Sequence, residues 1–302
     1  LHLCMGTQKT AKRKTTPLYM HSLYIQNDAT VGRLIERDLL NERYGVIYMT
    51  TQRGCPFPCT YCAARMYNQL YGSQQYGRRR SLEDVFAEIE HIRANGPLNY
   101  IVFLDDTFTI NPKWVRQFCQ EYPKRFSIKF SLHARAETVH PKLLHDLAAA
   151  GCAHITFGVE SGSERIRRDI MKRNVSNQRL LDCFEASRAA GILTTANYML
   201  GIPTETVSDI EETIALHHQL QPDDFGHFIF YPYPGTPMYK YCLDRGLLPD
   251  NFSELPANHS RSILKLDSIT SDEIQTAYQR FTDIRKAEHL ARLRQHSAVT
   301  QQ

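Results

Sequence analysis

From Tyr44 to Tyr231 the sequence alternates six short apolar runs with amphipathic stretches of helical length. The runs predict strands at Val46–Thr51, Tyr100–Asp105, Ser127–His133, His154–Val159, Leu193–Leu200 and Phe225–Tyr231. Apolar positions at helical spacing predict helices at Leu82–Ala94, Pro112–Glu121, Pro141–Ala150, Ser163–Met171 with Gln178–Ala190, and Thr206–Gln219. Asn111-Pro112 reads as an N-cap followed by proline at the first helical position. Gly151 and Gly191 follow apolar helices, where a left-handed C-terminal residue is expected. Strand–helix units in series build parallel α/β sheets with right-handed crossovers. Periodicity alone leaves a doubly wound sheet and a curved barrel both open.

The first strand leads into Arg53-Gly54-Cys55-Pro56-Phe57-Pro58-Cys59-Thr60-Tyr61-Cys62, a C-x3-C-x2-C spacing with an aromatic residue before the last cysteine. Thiolates at this spacing can hold three corners of a cubane 4Fe-4S cluster, whereas electron-transfer clusters take a fourth cysteine. The next cysteine is Cys119, so one iron would stay open to an amine and a carboxylate, such as the methionine end of S-adenosylmethionine. Zinc is the competing reading, but it prefers four protein ligands, often as two C-x2-C pairs. Only one such pair exists here, and no histidine lies between Cys62 and His91. Eight cysteines in 302 residues, without a secretory signal, are too sparse for a disulfide scaffold.

Hydrophobic residues are 42% of the chain and charged residues 23%, which supports a real core. A net charge of +4 does not argue for nucleic acid. No apolar run approaches a membrane span, and a reducing cytoplasm suits Cys4, Cys119, Cys152, Cys183 and Cys242 as scattered core thiols. The chain begins at Leu1 and reads as a fragment or processed product, with residues 1–43 an extension or linker. That segment carries the basic cluster Lys9, Lys12, Arg13 and Lys14. Residues 44–245 would form the core and 246–302 a helical extension. The extension includes a terminal helix from Ser271 to Arg294, with Ile274, Tyr278, Phe281, Ile284 and Leu290 at helical spacing. Arg78-Arg79-Arg80 reads as a solvated run, and His91, His133, His140 and His154 show no metal-like spacing.

Together these motifs resemble the radical SAM superfamily over about residues 45 to 245. The likeness is strongest to its cobalamin-binding branch. It lies in Arg53-Gly54-Cys55-Pro56-Phe57, Phe103-Leu104-Asp105-Asp106-Thr107-Phe108-Thr109, Gly158-Val159-Glu160-Ser161-Gly162 and Tyr233-Pro234-Gly235-Thr236-Pro237. The resemblance implies an α/β fold, a partial (β/α)6 TIM-like barrel with the cluster loop after the first strand. Reactive residues would gather at the C-terminal strand ends, where Asp105, Glu160 and Gly201 fall.

By the same resemblance, Cys55, Cys59 and Cys62 ligate the cluster and Tyr61 lies near the adenine. Asp105 and Asp106 stand where relatives bind the methionine amino group, although a Gly-Gly-Glu-like motif is commoner there. Glu160 matches the ribose contact, with Ser161 as a possible helix cap. Arg173, rather than Lys172, matches the arginine that pairs with the methionine carboxylate. Asn197 matches a polar contact to the ribose or sulfonium side, and Gly201 and Ile202 a backbone contact to the adenine. Glu205 either joins them or begins the next helix, and Arg135 either reaches the ligand or pairs with Glu137.

The implied activity is reductive cleavage of S-adenosylmethionine to a 5'-deoxyadenosyl radical, followed by methylation or rearrangement of a small molecule. A flavodoxin or ferredoxin would supply electrons. Cobalamin would require a domain that residues 1–43 are too short to form, since such domains run to about 100 residues or more. The alternatives are a tRNA methylthiotransferase-like enzyme and a non-catalytic Fe-S or zinc module. The former would add three N-terminal cysteines and an RNA-binding barrel. The latter leaves Asp105, Glu160, Arg173 and Gly201 unexplained.

Overall fold

The structure, a computed structural model, describes residues 24–27, 32–35, 44–72 and 78–299. The basic cluster at Lys9 to Lys14 lies outside them. The chain divides into two compact units, residues 1–47 with 80–100 and residues 48–79 with 101–302. In the first, β1 (Tyr24–Asn27) and β2 (Gly32–Ile35) form an antiparallel hairpin inside the stretch expected to be a linker. Strand β3 (Val46–Met49) begins in this unit and ends in the second.

In the second unit the cysteine run is bracketed by a short antiparallel pair, β4 (Gln52–Arg53) with β5 (Arg78–Arg79), and by helix α1 (Ala63–Tyr71). Helix α2 (Leu82–Ala94) belongs to the first unit and has the expected bounds. The strand–helix series then runs β6 (Tyr100–Phe103), α3 (Pro112–Arg125), β7 (Lys129–Ala134), α4 (Pro141–Ala149) and β8 (Cys152–Glu160). It continues through α5 (Asn177–Ala189), β9 (Leu193–Leu200), α6 (Val207–Leu220) and β10 (Asp224–Ile229). Helix α7 (Pro237–Asp244) and the long α8 (Ser271–Val299) complete it. The six core strands lie side by side in the order β10-β9-β8-β7-β6-β3, a curled parallel half-barrel.

Alternation along the strands separates two faces. Phe130, Leu132, Ile155, Phe157, Val159, Ala196, Tyr198 and Leu200 are buried. Their neighbours Ser131, His133, His154, Thr156, Glu160, Thr195, Asn197 and Met199 are only half-buried. Successive side chains on a strand point to opposite faces, so the first set packs under helices and the second lines the concave side. Ring pairs mark the packed side: Phe157 meets Phe184 of α5 at 5.3 Å, and Tyr198 meets Phe281 of α8 at 5.4 Å. Phe118 of α3 is fully buried among Phe103, Phe108, Trp114, Tyr122 and Phe130.

Two segments depart from expectation for identifiable reasons. Helix α3 continues through Pro123, because Tyr122 is buried and its carbonyl accepts from Phe126 N at 2.9 Å, closing a turn beyond the proline. The helix expected at Ser163–Met171 is instead a π-type turn at Ile166–Ile170. There the fully buried Arg167 donates to Ser161 O, Val175 O and Asn177 Oδ1, pulling the chain into a wider ring. Such wide turns recur at functional sites.

Phe118→Ala should cost about 3–5 kcal/mol of stability, the usual range for emptying a buried phenylalanine site. Chemical denaturation would show a lower midpoint with an unchanged slope. A midpoint within error of the wild type would mean that the ring cluster is not the packing centre of this side.

Candidate active site

The cysteine run leaves β4 and ends at Cys62, the N-cap of α1, whose sulfur accepts from Ala64 N at 3.4 Å. Arg135 Nη1 donates to Cys59 Sγ at 3.1 Å, and its guanidinium lies 3.9 Å from the Phe57 ring centre. Thr107 Oγ1 stands 3.7 Å from Cys55 Sγ. Cys59 is buried, while Cys55 and Cys62 are partly exposed. Burial pushes the Cys55 thiol up and the Cys62 thiol up to about 11. Among the described residues, only His217, His218 and Glu288 bring three ligand atoms within 4.8 Å of one another; the three cysteines do not. Ligands of one zinc ion would converge more tightly. Thiols held apart, each with a polar neighbour, fit separate corners of an iron–sulfur cluster, whose properties depend on hydrogen bonds to sulfur.

Two aspartates and a threonine hold this loop in place. Asp105 is fully buried, and its Oδ1 accepts from Thr51 N, Thr51 Oγ1 and Gln52 N. Its other oxygen has no partner, and burial raises the carboxyl to about 6. Asp106 Oδ2 accepts from Gly54 N at 3.2 Å. Asp105, expected at a ligand amine, thus bonds the segment that leads into the cysteine run, and Asp106 bonds Gly54 within it. Thr60 ties its far end: Thr60 N donates to Met171 O, Thr60 Oγ1 to Ile170 O, and Thr60 O accepts from Met238 N.

A second polar group converges on Tyr61. Its hydroxyl donates to Glu160 Oε1 at 3.1 Å, and Arg173 Nη1 lies 3.9 Å from the same oxygen. Arg173 is 3% exposed, donates to Gly158 O, and has Glu137 Oε2 at 3.8 Å; Glu137 also pairs with Arg135. Burial raises the Glu160 carboxyl and the Tyr61 phenol. At Glu137 burial pushes upward too, but Arg173 and Arg135 outweigh it and hold the carboxyl low. Glu160 takes a left-handed backbone (φ 71°) at a register shift in β8, an uncommon and costly conformation for a non-glycine residue. Gly158 makes room for it, since an added Cβ would overlap Glu160 Oε1. Lys172 is exposed, so Arg173 is the basic residue turned inward.

The turn after β9 is held from within. Gly201 sits at φ 74°, and Gly201 N and Ile202 N both donate to the fully buried Glu205 Oε2. Burial lifts the Glu205 carboxyl to about 8, against those two bonds. Asn197 faces the concave side, its Oδ1 2.8 Å from where a Cβ on Gly226 would sit. Beside Tyr61 a cavity of about 290 Å³ is walled by Met199, Phe228, Ile229, Phe230, Tyr231, Tyr233 and His259. His259 O accepts from Ile229 N at 2.7 Å, and Tyr233 OH meets His259 Nε2 at 2.8 Å. Sequence reasoning gave no role to Thr60, Arg167 and His259, whose bonds reach partners that spacing along the chain does not reveal.

A curled parallel half-barrel with thiols after its first strand defines a class, and comparison with known proteins agrees. The Radical SAM superfamily model matches residues 49–217, more than half of the chain, and the chain belongs to that superfamily. It is 30% identical over 240 residues to an uncharacterized methyltransferase of Pyrococcus horikoshii, covering 76% of this chain and 49% of the relative. It is 26% identical over 238 residues to the anaerobic magnesium-protoporphyrin IX monomethyl ester cyclase of Cereibacter sphaeroides, covering 76% and 37%. The chain thus spans half or less of the length of these relatives. In fold it is similar to the cobalamin-dependent S-adenosylmethionine radical enzyme OxsB (TM-score 0.61, 15% identity, 91% of this chain and 53% of that one). It is likewise similar to the methyltransferase TsrM of Kitasatospora setae (TM-score 0.60, 18% identity, 83% and 46%). Among the described residues no helix is long and apolar enough to cross a membrane.

Glu205 generates a pH prediction. Its raised folded pKa means that the fold keeps a proton which the unfolded chain releases near 4.5. This stability is fully present at low pH and is lost as pH climbs from about 4.5 through about 8. Glu205→Gln keeps an acceptor for the Gly201 and Ile202 amides and carries no charge to bury. Relative to the variant, wild type should lose up to about 1.4 kcal/mol per pH unit across that window. Parallel stability–pH curves would place the ionised carboxylate in the fold instead.

Proposed function

We propose that the chain binds a 4Fe-4S cluster through Cys55, Cys59 and Cys62, binds S-adenosylmethionine beside it, and starts a radical reaction on a small-molecule substrate. The carrying observation is the loop itself. Three separated thiols lie at the C-terminal end of the first core strand, with Arg135 on Cys59 and the Tyr61–Glu160–Arg173 group alongside. When bound and reduced by an external electron donor, the cluster would supply the electron for cleaving the cofactor's carbon–sulfur bond to a 5'-deoxyadenosyl radical.

The chain's own residues bind, orient and shield. Glu160 can accept from two vicinal ribose hydroxyls once Tyr61 releases it. Arg173, fixed by Gly158 O, can pair with the methionine carboxylate through its free edge; its Nε has no partner in the fold. Tyr61, Met199, Phe228, Ile229 and Phe230 offer apolar walls to an adenine, and Gly201 and Ile202 hold the adjacent backbone. Asn197 supplies an amide on the concave face. Asp105 acts as a positioning residue for the loop, and Asp106 keeps one carboxylate oxygen for a ligand ammonium. A flavodoxin or ferredoxin is the proposed electron donor, and a reducing cytoplasm suits the free thiols among the described residues.

Anaerobic reconstitution should load about four irons per chain, and Cys59→Ala should abolish the stable cluster. With reductant and S-adenosylmethionine, wild type should form 5'-deoxyadenosine above the Cys59→Ala level; equal levels would reject the reading. Glu160→Ala and Arg173→Ala should each weaken cofactor binding by roughly 1.5–3 kcal/mol while keeping the iron. Gly158→Ala should act the same way without loss of fold, because the added methyl displaces only the end of the Glu160 side chain. Unchanged affinity in all three variants would show that the ribose and carboxylate contacts lie elsewhere.

A further inference from the structure

A second set of ligand-type side chains lies on the helix-covered side of β9. His217, in the last turn of α6, is fully buried against Tyr198, Phe225 and Phe281. Its Nδ1 is 3.1 Å from Tyr198 Oη, and its Nε2 is 2.9 Å from Oε1 of Glu288 on α8. His218 follows, exposed, with its ring centre 5.3 Å from that of His217. One nitrogen of each histidine and one Glu288 oxygen lie within 4.8 Å of one another.

Two imidazoles and a carboxylate are a zinc-type donor set, with a fourth position left to water. Bonds of about 2.0–2.2 Å to a shared ion leave ligand atoms roughly 3 Å or more apart, close to the separation of His217 Nε2 and Glu288 Oε1. The supporting contacts are those that ligands require. Tyr198 Oη can accept from Nδ1–H as readily as it donates. The buried imidazole can therefore turn its lone pair at Nε2 to a cation without losing its partner. The second Glu288 oxygen accepts from Arg292 Nη2 at 3.1 Å, which orients the carboxylate. His218 and Glu288 reach solvent, so an ion has a way in.

We propose that His217, His218 and Glu288 bind one zinc-type divalent cation, which clips the terminal helix α8 to α6. The ion joins segments about 70 residues apart and would stabilise the fold by mass action.

Zinc is the probe. Cluster-loaded protein and a Cys55→Ala/Cys59→Ala/Cys62→Ala triple variant are equilibrated with micromolar zinc, and bound metal and melting temperature are measured. Both should hold one zinc more than a His218→Ala form, and zinc should raise their melting temperature. His218→Ala and Glu288→Gln, both at accessible side chains, should weaken zinc binding about 10-fold or more and lose that rise. His145→Ala, which removes an exposed imidazole elsewhere, should change neither. Zinc held equally by all forms, zinc lost with the cysteines, or no zinc retained by wild type would each overturn the proposal. None of these readouts depends on whether the cysteine loop carries a cluster.

Discussion

A parallel sheet that curls only partway round can pack one face under its own helices and must leave the other to solvent or to a ligand. That asymmetry organises this molecule. Phe130, Ile155, Phe157, Val159, Ala196 and Leu200 are buried on the convex side, while polar residues alternate with them on the concave side. The same alternation that builds the core therefore delivers Asn197 to the opening, while Glu160 is placed by the register shift at the end of β8. Core and site are two readings of one period-two pattern.

Charge is the second constraint. Arg135, Arg173, Glu137 and Glu160 are brought together in a mostly buried group, two cations against two carboxylates. Buried charges persist only when paired and hydrogen-bonded. Yet Arg173 Nε and Arg135 Nε lack partners, and Arg135 turns one nitrogen to the Cys59 sulfur. A balanced network with unused donors accepts an anionic ligand more easily than a fully satisfied one. Such a ligand meets donors already oriented and already desolvated.

The strand–helix series was legible because each run carries a period and a boundary signal. Leu82–Ala94 and Leu193–Leu200 have the expected limits for that reason. The cysteine spacing and the residues at the strand ends could be placed because a strand end is where such a fold presents side chains. What escaped depends on contacts remote in sequence. Nothing near Thr60 shows that its three bonds reach residues 170, 171 and 238. Nothing near Arg167 shows that its guanidinium will gather three segments and turn a helix into a wide π ring. Asp105 shows the converse: its position is legible, but its bonds to Thr51 and Gln52 appear only when β3 and β6 lie side by side.

His259 has a divided allegiance. Its carbonyl receives the last amide of the edge strand β10, and its ring forms part of the wall of the cavity beside Tyr61. An unpaired sheet edge invites pairing with another chain. The segment that caps the end of this edge is therefore also part of the wall of the cavity. The ring's Nδ1 also lies 3.2 Å from Ile229 O, so a substitution at His259 that reshapes the cavity wall removes a polar contact from the end of the edge strand as well.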